Sequence, residues 1–127
     1  MTAQYDAAGA AAAGNMVWSY DASANYGLLN ADGTEKTSLL DVVVRPYPER
    51  VAGDPVSYAF DAATRTFTLT YHANPGTAAP TVLSIAPRVY PNGYTVDCGG
   101  CASQKTAGGL VVTSAPPGDP AILRIHP

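Results

Sequence analysis

The residues most able to do chemistry in this sequence are few: Cys98 and Cys101, Glu35 and Glu49, His72 and His126, and Trp18. The cysteines stand as Cys98-Gly99-Gly100-Cys101. A redox dithiol of that spacing wants a helix amino terminus after its first thiol to lower the pKa. Two glycines and a polar run argue against such a helix. A zinc site needs about four ligands, and neither His72 nor His126 lies close in sequence. A local disulfide, or two unreacted thiols at a hairpin tip, remains. Acid–base catalysis by a carboxyl pair needs two carboxyls held close together. Glu35 and Glu49 are the only glutamates, and neither stands in a catalytic motif. There is no Gly-x-Ser-x-Gly elbow, phosphate loop or ligand-spaced histidine pair. His72 and His126 read as strand-end surface residues. No catalytic residue, metal or cofactor is expected. Trp18 offers a flat apolar face and an indole N–H donor. By residue type alone it reads as core.

Composition sets the bounds. A chain of 127 residues makes one domain, or a small domain with an appendage. Only 13% of its residues are charged, with 12 Gly and 11 Pro, a profile that suits a turn-rich β protein. The net charge of −3 provides no basic stripe for nucleic acid or anionic lipid. No run of eighteen apolar residues marks a membrane span. Met1 to Gly14 does not read as a signal peptide: it lacks Lys and Arg, and Asp6 and Gly9 interrupt its apolar run. It reads as an alanine helix that Thr2 can cap and Gly14 can end, with Ala7 to Ala13 of high helix propensity.

Asn15 to Tyr20 is a short apolar run bounded by Gly14 and Asp21, and predicts a buried, parallel strand. Asp21 to Gly33 is a loop marked by Asn25, Gly27, Asn30, Asp32 and Gly33. Thr34 or Thr37 can cap a following helix whose apolar residues are Leu39, Leu40, Val43 and Val44. Glu35 and Lys36 read as its solvated end. The helix stops at Arg45 because Pro46 follows. Residues 45–55 hold Pro46, Pro48 and Pro55, which rule out a helix or a central strand and predict a stiff extended strap. Beyond it the period is two. Val56, Tyr58 and Phe60 face one way, and Phe67, Leu69 and Tyr71 match them across a polar turn at Asp61 to Arg65, as in a hairpin with one buried face. Further strands are expected at Thr81–Ala86, Tyr94–Cys98, Leu110–Thr113 and Ala121–His126. That spacing favours a sandwich.

The run Leu39 to Pro48, then Val51-Ala52-Gly53, Tyr58-Ala59-Phe60-Asp61 and Thr66 to Tyr71 resembles the end of a family 5 glycoside hydrolase of the endoglycoceramidase-like group. In that group a (β/α)8 barrel passes through an Arg-Pro-Tyr-Pro strap into a C-terminal β-sandwich. The resemblance implies a mainly β fold, with an antiparallel sandwich after a helix-strand-helix remnant of the barrel. Residues 1–44 would be the last βα portion, 45–55 the strap and 56–127 the sandwich. Asn15 to Tyr20 would be the eighth barrel strand, placing Trp18 and Tyr20 at the carboxyl rim where substrates bind. Both catalytic glutamates would precede Met1, so the chain would be an accessory segment, inactive alone, of an enzyme acting on glycolipids or related β-glycosides. It would pack on the barrel. A secreted parent would favour a Cys98–Cys101 disulfide. The alternatives are a carbohydrate-binding module, with Tyr90 and Tyr94 as the tyrosines free to stack, and a purely structural β-domain. Residues 1–44 are expected to be held more loosely than 51–127.

Overall fold

A computed structural model describes residues 1–22 and 27–127; the expected turn residue Asn25 lies outside them. The order is α1 (Thr2–Ala10), α2 (Thr37–Val43), β1 (Tyr47–Arg50), β2 (Gly53–Asp61), β3 (Thr66–Ala73), β4 (Thr81–Ser84), β5 (Thr95–Asp97), β6 (Ala102–Thr106), β7 (Gly109–Ser114) and β8 (Ala121–His126). The strands form two four-stranded antiparallel sheets, ordered β1-β4-β7-β6 and β2-β3-β8-β5.

The core is set by alternation. On β3, Phe67, Leu69 and Tyr71 are buried, opposite Ile125, Leu123 and Ala121 of β8. Leu83 of β4 and Leu110 and Val112 of β7 face them from the other sheet. Aligned inner faces of this kind make a sandwich core. The β2–β3 hairpin forms where the sequence places it. Its turn is fixed by Asp61, whose Oδ1 accepts from the Ala63 and Thr64 amides. Val56, expected inward with Tyr58 and Phe60, is 43% exposed. A register shift between Pro55 and Ser57 takes it out of the alternation.

The Pro-rich strap is extended, and part of it is built into the sandwich. Its residues 47–50 form β1 at a sheet edge, the position that tolerates Pro48. Its residues 53–55 open β2 in the other sheet. β6, Ala-Ser-Gln-Lys-Thr, carries no hydrophobic alternation and is exposed throughout. It is the opposite edge of that sheet, where hydrogen bonding to β7 alone suffices.

Three local expectations need correction. Asn15 to Tyr20 is assigned to no strand, and Tyr20 lies in a bend. Among the described residues, the Leu28 amide donates to its Ser19 carbonyl. In α1 the N-cap is Met1 and Thr2 is the first helical residue, with no side-chain cap. In α2 the N-cap is Lys36. Thr34 instead sits in the preceding turn, donating to Asp32 from both amide and hydroxyl.

Tyr90 is a core residue, 5% exposed. Its phenol donates to the Arg65 and Ile125 carbonyls. Tyr94 is half-buried, donates to the Gly109 carbonyl and is covered by Lys105. The pair cannot form an open stacking platform, because each ring is used inside the sandwich. Burial pushes the Tyr90 phenol up to about 12.

α1 docks on β2 through a glycine. A Cβ at Gly9 would stand 2.3 Å from the Tyr58 carbonyl oxygen. The Tyr58 hydroxyl then donates to the Ala13 carbonyl at 2.5 Å, just past the helix end. A Cβ at Gly109 would stand 1.8 Å from the Leu83 oxygen, inside the sandwich.

Two outcomes follow from these contacts. Gly109→Ala should lower sandwich stability by about 2 kcal/mol or more in urea melts. Gly9→Ala should instead speed amide exchange in residues 2–13 while the urea midpoint of the sandwich barely moves. A common loss in both variants would mean that α1 and the sandwich are one cooperative unit. For Tyr90, the folded phenol lies above its ordinary value of 10.0. The protonated form therefore stabilises the fold fully below pH 10, and that stability is lost as pH rises toward about 12. Tyr90→Phe should flatten this alkaline limb in melts from pH 8 to 12; an unchanged limb would refute the assignment.

Candidate functional site

The residues expected at a sugar rim lie on the irregular stretch before α2. Its side chains alternate: Asn15, Val17 and Ser19 are half-buried, while Met16, Trp18 and Tyr20 are 89%, 85% and 63% exposed. Trp18 is therefore not a core residue of this chain. The period of two that would fit a strand here presents one apolar face to solvent. The Trp18–Ser19 peptide is cis.

The end of this stretch is pinned by a small scaffold. The Leu28 and Leu29 amides donate to the carbonyls of Ser19 and Asp21. The Ser19 hydroxyl donates to the Asp21 carboxylate at 2.7 Å. Leu29 forms a bridge with Glu35 across the turn at Asp32 and Gly33. Glu35, expected to be a solvated helix end, is engaged on both oxygens. Oε1 accepts from the Tyr20 phenol at 3.0 Å, and Oε2 accepts from Arg88 Nη1 at 3.0 Å. The Arg88 bond, then the Tyr20 bond, hold its carboxyl below the usual range. The same bond to Glu35 raises the Tyr20 phenol. A general acid in glycoside cleavage needs the opposite, a raised carboxyl pKa. Glu35 is thus suited to anchoring. Glu49 lies exposed on edge strand β1.

Behind the stretch is an open cavity of about 1000 Å³. Its walls come from the end of α1, Val17 and Leu28, residues 43–49, and β2 from Ser57 to Asp61. Its most prominent cation, Arg45, is already engaged: Nη1 pairs with Asp6 at 2.7 Å, Nε donates to the Val42 carbonyl, and the guanidinium lies over the Tyr5 ring.

Cys98 and Cys101 are disulfide-bonded, with Cα atoms 5.5 Å apart. They do not sit at a hairpin tip. β5 pairs with β8 and β6 pairs with β7, so the bond lies where the chain crosses between sheets. Gly99 and Gly100 both have positive φ there, which explains the two glycines. His72 is exposed on β3, beside Asp119; His126 ends β8. Among the described residues, no group of three His, Cys, Asp or Glu side chains is placed to hold a metal, and no helix is long and apolar enough to cross a membrane.

Sequence reasoning named Trp18 and Tyr20, which the structure leaves exposed, and missed Arg88 and the part played by Glu35. Arg88 is 53 residues from Glu35, and no local signal joins them.

Comparison with known proteins places these features. No curated protein matches the sequence significantly. Among solved structures, endo-glycoceramidase II from Rhodococcus sp. in complex with a five-membered iminocyclitol matches 99% of this chain at TM-score 0.75 and 24% identity. Its complex with ganglioside GM3 matches 98% at TM-score 0.74. Sterylglucosidase 1 from Cryptococcus neoformans matches 75% at TM-score 0.55 and 17% identity. The chain spans 28% of the first of these structures and 14% of the last. Likeness at this identity establishes the shared fold. A family model, the glycoside hydrolase family 5 C-terminal domain, matches residues 45–120, the strap and most of the sandwich. The chain belongs to that family, as an accessory domain of the glycoside hydrolase kind.

Proposed function

We propose that this chain works as the C-terminal part of a retaining glycoside hydrolase acting on glycolipids or related β-glycosides. In this reading residues 1–44 are the last βα portion of a barrel, 45–55 the strap and 56–127 the sandwich. Trp18 and Tyr20 face the sugar, and the two catalytic glutamates stand on barrel strands outside this chain. The sandwich packs on the barrel and props its last helix. The parent is secreted, which suits the Cys98–Cys101 bond.

The observation that carries this is the uncovered face. Met16, Trp18 and Tyr20 turn three large side chains to solvent on a segment with no strand beside it among the described residues. Burying each would stabilise the molecule by about 1.5–3 kcal/mol. A face left open at that cost fits a segment completed by further strands and a ligand. The family membership of the strap and sandwich, and the ganglioside complex of one structural neighbour, point to the substrate class.

The chain alone should give no turnover of a ganglioside or a fluorogenic β-glycoside. Joined to a family 5 barrel supplying two glutamates, it should complete an active enzyme. There Trp18→Ala should lower kcat/KM by roughly tenfold, equivalent to about 1.4 kcal/mol of lost stacking and hydrogen bonding. Turnover by the isolated chain, or an unaffected Trp18→Ala enzyme, would overturn the proposal.

A further inference from the structure

We propose that Glu35 and Arg88 form a clamp through which the sandwich fixes the orientation of Tyr20, making both of them positioning residues for the aromatic face. The consequence for sugar binding rests on the function proposed above; the clamp itself does not.

The geometry is that of one carboxylate shared by two donors from different parts of the fold. Tyr20 ends the exposed stretch, 15 residues before Glu35. Arg88 lies in the connection from β4 to β5, 53 residues after it. A lone surface ion pair holds little, because two long side chains must give up their freedom to make it. Glu35 is different in its backbone. The Leu29 bridge and the Asn30–Thr34 turn fix its main chain, and the Leu28 and Leu29 amides tie the same scaffold to Ser19 and Asp21. Its carboxylate therefore starts near both partners. Tyr20 needs such a restraint, since its ring is largely exposed. Its phenol bond to Glu35 supplies that restraint, and Arg88 holds Glu35 from the sandwich side.

Other charged groups stand close by. Asp41 and Arg65 line the same small cavity as Arg88, and Asp21 is bound to Ser19. Neither Asp41 nor Asp21 replaces Glu35 as the acceptor of the Tyr20 phenol.

The experiment uses the 127-residue chain with ring-labelled tyrosine and no glycan, so its outcome is independent of the barrel test. In the native chain Tyr20 should titrate above the ordinary tyrosine range, and Glu35→Gln should return it toward that range. Arg88→Ala should speed exchange of the Leu28, Leu29 and Lys36 amides about threefold, the factor a partly screened ion pair supports. The β3 and β8 amides should keep their native rates, and Arg88→Lys should recover part of the protection. An unmoved Tyr20 titration in Glu35→Gln, unchanged exchange in Arg88→Ala, or acceleration spread equally through β3 and β8 would each overturn the clamp.

Discussion

One guanidinium holds the seam of this molecule. Arg45 reaches back to Asp6 on α1, caps the end of α2 at the Val42 carbonyl and lies over Tyr5. The next residue, Pro46, is fully buried and leads into β1. Three elements therefore meet at one dipeptide. A buried charge is tolerable only when its donors are satisfied, so Arg45 specifies where α1 and α2 sit as much as it stabilises them. A proline beside it fixes the direction in which the chain leaves. The residues N-terminal to this point are positioned against the sandwich from here, from the Gly9–Tyr58 contact and from the Glu35–Arg88 pair.

The two parts are built by different physics. The sandwich is held by area. Buried residues from β3, β4, β7 and β8 form one cluster, and its polar rings, Tyr90 and Tyr94, are anchored by carbonyls within it. The N-terminal third buries Leu28 and Leu40 and is tied down by a few directed contacts: a glycine against a carbonyl, a phenol to a helix end, one ion pair to Asp6 and one to Arg88. Directed contacts position a segment without covering it. That is why Met16, Trp18 and Tyr20 can be placed yet remain exposed.

Most of the fold was legible because alternation and turn residues are local signals. The β2–β3 hairpin, the strands at 81–84, 95–97, 109–114 and 121–126, and α2 fall where periodicity and proline put them, while α1 ends at Ala10, before Gly14. Edges were the weak point. β1 contains a proline and β6 is polar on both faces; each joins a sheet through backbone hydrogen bonds, which leave no side-chain pattern. Val56 fits the alternation and still points outward, because one extra residue at a bulge reverses a face.

By itself the sequence determined the sandwich class, the strap and the aromatic character of the Met16–Tyr20 stretch. These follow from residue type and short-range spacing. Tertiary structure alone decided which aromatics reach solvent. Tyr90 and Tyr94 go into the interior, while Trp18 and Tyr20 stay outside. It also decided that Glu35 is an anchor shared by Tyr20 and Arg88 rather than a solvated end. The physical reason is separation along the chain: burial and charge pairing depend on partners that only folding brings within reach.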